Sequence, residues 1–140
     1  MLRKILIAND GSAGARRALE VAADVAARHG AELHSLSVEE DLPKYAATMD
    51  EVDAVKERRN HYFGRVNAEA QVIAAEHTVE IETHVVAGHE VETIINFCKE
   101  GDFDLLVVGF MGHSRIHERI WGSTSQTLTR LSPCSVLVVK

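Results

Sequence analysis

Short apolar runs and helical stripes alternate from one end of the chain to the other. The run Ile5-Leu6-Ile7-Ala8, bounded by Asn9-Asp10-Gly11, reads as a buried strand. Ala18, Leu19, Ala22, Val25 and Ala26 then recur at helical spacing, and Gly30 is placed to cap that helix at its carboxyl end. Leu33 to Val38 forms a second strand. Glu39-Glu40-Asp41 and Pro43 open an irregular connection, and Val52, Val55, Tyr62, Val66, Ala70 and Ile73 trace one face of a long helix. Val79, Ile81, Thr83 and Val85 alternate with Glu80, Glu82 and His84, the pattern of a strand with one wet face, ended by Gly88. Val91, Ile94, Ile95 and Cys98 mark a third helix, closed by Gly101. Leu105 to Val108 is an unbroken apolar strand running into Gly109. Ser123 to Leu131 predicts a last helix, stopped by Pro133, and Ser135 to Val139 a last strand.

Strict alternation of five strands with four helices predicts right-handed crossovers and a mostly parallel sheet covered on both faces. No linker, repeat or low-complexity tract interrupts it, so residues 1–140 read as one doubly wound α/β domain. In such sheets ligands bind beyond the carboxyl ends of the strands, where strand order reverses. The first and fourth strands, the most apolar, are the expected central neighbours. Their ends carry Asn9-Asp10-Gly11 and Gly109-Phe110-Met111-Gly112, which would then point into one crevice.

Composition narrows the partners. A 140-residue chain that is 46% hydrophobic and 26% charged supports a proper core. Its net charge of -6 makes nucleic acid an unsuitable partner, but a mononucleotide needs only a local site. Ile5 to Ala8 is too short for a signal-peptide core or a membrane span, and the expected location is the cytoplasm, without membrane insertion. Cys98 and Cys134 are too few for a disulfide framework or a zinc site and read as structural thiols.

The segment from Gly109 to Ser123 carries the candidate chemistry. Glycines at 109 and 112 let a phosphate approach backbone N–H groups, and Gly122-Ser123-Thr124 opens a helix whose unpaired N–H groups favour an anion. Taken singly, each glycine reads first as a turn former and Ser123 as a helix cap. The joint spacing Gly-x2-Gly-x9-Gly-Ser, after an apolar strand and before a helix, resembles the ATP-binding signature of the universal stress protein family. The resemblance extends over the opening KILIANDGS, the GDFDLLVVG strand and the closing LSPCSVLVVK.

That resemblance implies a Rossmann-like sandwich of the adenine nucleotide alpha hydrolase type, binding ATP, with AMP or ADP as alternatives. It implies that Asp10 lies beside the adenosine and that Val38 lines the adenine pocket. Gly109, Gly112, Gly122 and Ser123 would hold ribose and phosphates, with Thr124 contributing its backbone. Phe110 and Met111 depart from the small, polar or basic residues common there, and Gly88-His89-Glu90 lacks a proline often found after the third strand. A homodimer through the last strand is also implied, and Val136 to Val139 is apolar on both faces, as an unprotected edge would be.

His113, Arg115, His117 and Arg119 lie in the same loop. The arginines suit either phosphate or solvent. The two histidines have helical ligand spacing, but no cysteine or carboxylate completes a metal site. Magnesium is compatible with a site where nucleotide phosphates do most of the holding. His34 and His84 read as structural or surface residues. No Gly-Lys-Ser/Thr follows the glycines, as a P-loop requires, and Asn9 to Gly14 lacks a dinucleotide fingerprint. The expected function is a nucleotide-binding stress sensor acting on an unidentified regulatory partner. The alternative is a slow ATP hydrolase or phosphate-transferring enzyme at the same site, although no base besides Asp10 stands out to position water.

Overall fold

The computed structural model describes residues 1–40, 48–110 and 123–140. Its strands are β1 (Lys4–Ala8), β2 (Glu32–Glu39), β3 (Ile81–Ala87), β4 (Leu105–Gly109) and β5 (Ser135–Val139). Between them lie α1 (Ala13–His29), α2 (Met49–Glu76), α3 (Glu90–Glu100) and α4 (Ser123–Leu131). The strands form one sheet in the order β3-β2-β1-β4-β5, with every pairing parallel. The expected doubly wound sheet is present, and the first and fourth strands are its central neighbours.

Alternating side chains of each strand feed two separate cores. Ile5, Ile7, Leu33, Leu105 and Val107 pack against the alanine-rich face of α1 and against Ala70, Ile73 and Ala74 of α2. Leu6, Leu36, Leu106 and Val108 pack against Ile94 and Cys98 of α3, Phe103 and Leu128 of α4. β1 and β4 are buried on both faces, which explains their unbroken apolar runs. Burial also pushes the Cys98 thiol up to about 12, with Cys134 beside it adding to the shift. It is therefore a protonated core side chain at neutral pH.

Local chemistry starts and stops the helices where the pattern requires. Ser12 caps α1 by accepting the Ala15 N–H at 3.1 Å, and Gly30 ends it at φ +62°, in the left-handed region. Thr48 and Glu51 form a reciprocal capping box at the start of α2. At the amino edge of the sheet, Asp104 accepts the N–H groups of Arg3 and Lys4 at 2.8 and 2.9 Å, tying β4 to β1. Those bonds hold its carboxyl below the usual range.

β3 departs from the sequence pattern. Val85 was expected inside and His84 outside, yet Val85 is 41% exposed while the His84 ring lies against His34 and Phe97. β3 is an edge strand, so its burial follows the aromatic side chains that reach it from β2 and α3 more than the period of its own residues.

Gly109 sets how closely α1 approaches β4. A Cβ there would stand 2.8 Å from the Gly14 carbonyl carbon and oxygen and 3.1 Å from the Ala15 nitrogen. Those atoms are helix backbone and cannot move aside without shifting α1. Gly109→Ala is therefore expected to destabilise the domain by about 1–3 kcal/mol, as overpacking does. Thermal unfolding checks this; a melting curve identical to the parent's would show that the contact yields freely.

Candidate functional site

Reversal of strand order at β1 and β4 makes their chains leave on opposite faces. β1 feeds α1 on one face, and β4 leads on towards α4 on the other, so the two connections part at the carboxyl edge. Asp10 and Gly109 stand at this edge on adjacent strands, and Val38 stands on β2, on the other side of β1. α4 descends from the carboxyl end of β4 to the amino end of β5, which puts Ser123 and Thr124 at the same edge. The structure thus gathers Asp10, Val38, Gly109, Ser123 and Thr124 at one end of the sheet. Gly112 and Gly122 lie outside the described residues, as do Met111, His113, Arg115, His117 and Arg119.

The loop after β1 is held from several sides. Asn9 is buried, its N–H donates to the Leu36 carbonyl at 2.9 Å, and its Oδ1 accepts the Gly11 N–H at 3.1 Å. The Ser37 hydroxyl donates to the Asn9 carbonyl at 2.7 Å, so β2 grips the loop beyond the end of the regular pairing. Asp10 Oδ1 accepts the Ser12 N–H at 2.9 Å, forming a local turn that leads into α1. Gly11 has φ +80°, a conformation open to glycine and strained for other residues, and a Cβ there would meet Tyr62 and Val66.

Tyr62 reaches across from α2, and its hydroxyl donates to the Asp10 carbonyl. Burial, and secondly the charge of Asp10, raise its phenol above the ordinary value, so it stays a donor through neutral pH. Sequence put Asn9 at the crevice without giving it a role, and marked neither Tyr62 nor Ser37 for the site. Tyr62 looked like one more residue on an apolar helical face, and only its hydroxyl gave a hint.

At the other rim, the Phe110 N–H donates to the Val139 carbonyl at 2.8 Å, and the Lys140 ammonium lies 5.6 Å from the centre of the Phe110 ring. α4 is secured inside by Leu128 and has hydroxyls along its backbone: Thr127 donates to the Ser123 carbonyl at 2.7 Å. The first N–H groups of such a helix have no acceptor within it, and its dipole presents partial positive charge there. Gly109 lacks a side chain because α1 demands it, which gives the turn-former reading a packing cause.

Comparison with known proteins gives one consistent result. The model of the universal stress protein family matches residues 1–140. Universal stress protein YxiE of Bacillus subtilis is 32% identical, with all of both chains covered. Universal stress protein UspA from Lactobacillus plantarum superposes with a TM-score of 0.88 at 26% identity, covering 99% of this chain and 98% of that one. A universal stress protein solved in complex with cAMP gives a TM-score of 0.75 at 27% identity, covering 99% and 96%.

The Tyr62 bond joins α2 to the candidate site and is testable alone. Tyr62→Phe is expected to cost about 0.5–1.5 kcal/mol of stability, one hydrogen bond, while keeping the ring's packing. Because the folded state raises the phenol's pKa, the parent's advantage is full below the ordinary tyrosine value of about 10 and shrinks as pH rises past it. Denaturant unfolding of both proteins across that range checks the sign. A parent and variant of equal stability at neutral pH would remove the bond from the account.

Proposed function

The chain belongs to the universal stress protein family, and from that premise we propose that it binds an adenine nucleotide at the carboxyl edge of β1 and β4 and acts as a stress-response sensor. The observation that carries this reading is the parting of the two connections there, with the Asp10 turn on one side and the start of α4 on the other. The adenosine lies towards Asp10 and Val38, and the phosphates lie towards Gly109, Ser123 and Thr124, with Gly112 and Gly122 assigned from the spacing alone. A relative of the same fold holding cAMP supports the adenine preference. ATP is the expected ligand, ahead of AMP and ADP, and magnesium would ride on its phosphates. A helix start and glycine backbone suit such an anion without a dedicated protein cage.

Binding rather than turnover is the favoured outcome. Among the described residues Asp10 is a carboxylate at the crevice, engaged by the Ser12 N–H, and the proposed pose puts it at the adenosine end. Water activation would need a base at the phosphate end. A nucleotide that survives purification unchanged, identified by mass spectrometry after denaturation, supports the sensor; several turnovers per site support a hydrolase.

Titration with ATP, ADP, AMP and GTP tests the ligand. Adenine nucleotides are expected to bind more tightly, and GTP binding equal to or stronger than ATP binding overturns the assignment. Asp10→Ala weakens nucleoside binding but also removes the Ser12 turn, so Asp10→Asn is its control, keeping the Oδ1 acceptor without the charge. Ser123→Ala lowers ATP affinity about tenfold, as for one hydrogen bond to a charged group, with AMP affected less. Folded variants that bind ATP like the parent would remove the phosphate site.

The same reading includes a homodimer through β5. This strand ends the sheet order, so one row of its backbone groups lacks a strand partner among the described residues. Its side chains are occupied within the fold: Leu137 and Val139 join one core, Val136 and Val138 the other. Pairing with a second copy would satisfy the edge. Sedimentation is expected to find a dimer, and a monomer at high concentration with and without ATP counts against it.

A further inference from the structure

A second polar cluster lies far from the proposed nucleotide site, in the amino half of β2 and β3. His34 is buried in β2, on the sheet face shared with α3, and its register partner on β3 is Glu82. His84 stands two residues beyond Glu82, on the same face of the strand. The His34 Nδ1 atom is 3.0 Å from His84 Nε2 and 3.4 Å from a Glu82 carboxylate oxygen. On the far side of the ring, Glu32 Oε2 lies 3.3 Å from His34 Nε2. Phe103 meets the His34 ring edge-on, and Phe97 packs on His84, walling the cluster from the core. Val38, on the same strand, stands four residues later, about 13 Å away along the extended chain.

A 3.0 Å contact between two imidazole nitrogens needs one proton between them, carried by one ring or the other. Their centres are 5.3 Å apart, as far as a 3.0 Å nitrogen contact allows, so both nitrogens lie on the line between the centres. An interplanar angle of 9° makes the bond lie in both ring planes. With Glu32 taking the Nε2–H of His34, Nδ1 is left as the acceptor for the His84 N–H. The Glu82 oxygen then faces this same acceptor with no proton between them. Three donor atoms converge on a spot that one proton serves incompletely. Lys4, whose ammonium lies 4.8 Å from the centre of the Phe103 ring, does not fill it; it donates to the Gly101 carbonyl at 2.8 Å.

We propose that His34, His84 and Glu82 form a site for a divalent metal ion of the zinc class, which takes the place of the shared proton. Ligand atoms of a tetrahedral zinc with bonds of about 2.0–2.1 Å stand about 3.3–3.4 Å apart. The two separations from His34 Nδ1, 3.0 and 3.4 Å, bracket that spacing. Glu32 supplies what a metal-binding histidine needs at its other nitrogen, a carboxylate that fixes tautomer and ring orientation. Seating the ion requires His84 to turn off the nitrogen–nitrogen line so that both lone pairs meet the metal. His84 is only half-buried and stands on the end strand of the sheet, and the Glu82 side chain, 67% exposed, can follow it, while His34, 11% exposed, is held. The fourth position faces solvent and takes water. Two imidazoles and a carboxylate select zinc or a similar transition ion over magnesium or calcium, which favour oxygen.

Zinc itself is the probe, titrated into nucleotide-free protein against a chromophoric chelator. One zinc per chain is expected. Glu32→Gln lowers its affinity about 10–100-fold, the usual effect of removing an outer carboxylate. His84→Gln, which keeps an amide facing His34, lowers it further, while His61→Gln on the exposed face of α2 leaves it unchanged. Nitrogen NMR of the imidazoles provides an independent readout, with zinc shifting His34 Nδ1 and His84 Nε2 together. A parent that binds zinc no better than His84→Gln overturns the site. So does a zinc-saturated protein that keeps the proton between the two rings, which would make the cluster a hydrogen-bonded pair only.

Discussion

The contact between Gly109 and the first turn of α1 governs the carboxyl edge of this domain. A parallel sheet that reverses direction must send consecutive crossovers to opposite faces, and the reversal falls between β1 and β4. Here α1 begins almost on top of the β4 backbone, at a distance that excludes a Cβ. That closeness fixes where α1 starts, and with it the position of the Ser12 cap. Only four residues separate the end of β1 from the first turn of α1. The Asn9-Asp10-Gly11 corner therefore has little freedom, and its left-handed glycine follows from the need to turn so tightly.

A corner of this kind exposes backbone groups that must find partners. They find them in different elements: Leu36 and Ser37 of β2, Tyr62 of α2, and the side chains of Asn9 and Asp10 themselves. A loop bonded from two neighbouring elements and from within is ordered before any ligand arrives. Binding then costs less conformational entropy than it would at a free loop. The electrostatics follow the same geometry, since a carboxylate stands on one rim and the positive end of a helix dipole on the other. Such an arrangement orients a ligand that is polar at one end and anionic at the other.

Strand and helix positions were legible because both sheet faces are buried and three of the four helices, α1, α3 and α4, carry a glycine or proline stop signal. Ser123 to Leu131 and Ser135 to Val139 emerge with the bounds read from sequence, between Gly122 and Pro133. The central pairing of β1 and β4 was legible from their unbroken apolar runs. β3 was misread because an edge strand receives side chains from neighbours that its own period does not encode; His34, Phe97 and Phe103 decide where His84 sits. Topology alone put Asp10 and Gly109 at the carboxyl edge of the sheet, where the structure has them, and Val38 came from the family resemblance. Tyr62 and Ser37 were not assigned to it, because their roles are hydrogen bonds between elements 28 to 52 residues apart in the chain. Gly109 illustrates a subtler limit. A glycine needed for packing and a glycine needed for a ligand look the same in a sequence, and this one has the first role through Gly14.

β2 shows where stability gives way to polar function. β1 and β4, equally central, bury apolar side chains throughout their middles, whereas β2 buries His34, Ser35 and Ser37. An unpartnered buried hydroxyl costs about 1–3 kcal/mol, and an apolar residue of similar size would avoid that cost. Ser37 is accounted for by its bond to the Asn9 carbonyl, which ties the crevice loop to the sheet. His34 is accounted for by Glu32 and His84. Ser35 Oγ has no hydrogen-bond partner among the described residues, although it lies between the other two polar positions. The polar residues of β2 thus divide along its length, with the imidazole cluster near its start and the loop anchor near its end. One strand serves both ends of the sheet, and it does so by giving up part of the apolar burial that β1 and β4 keep.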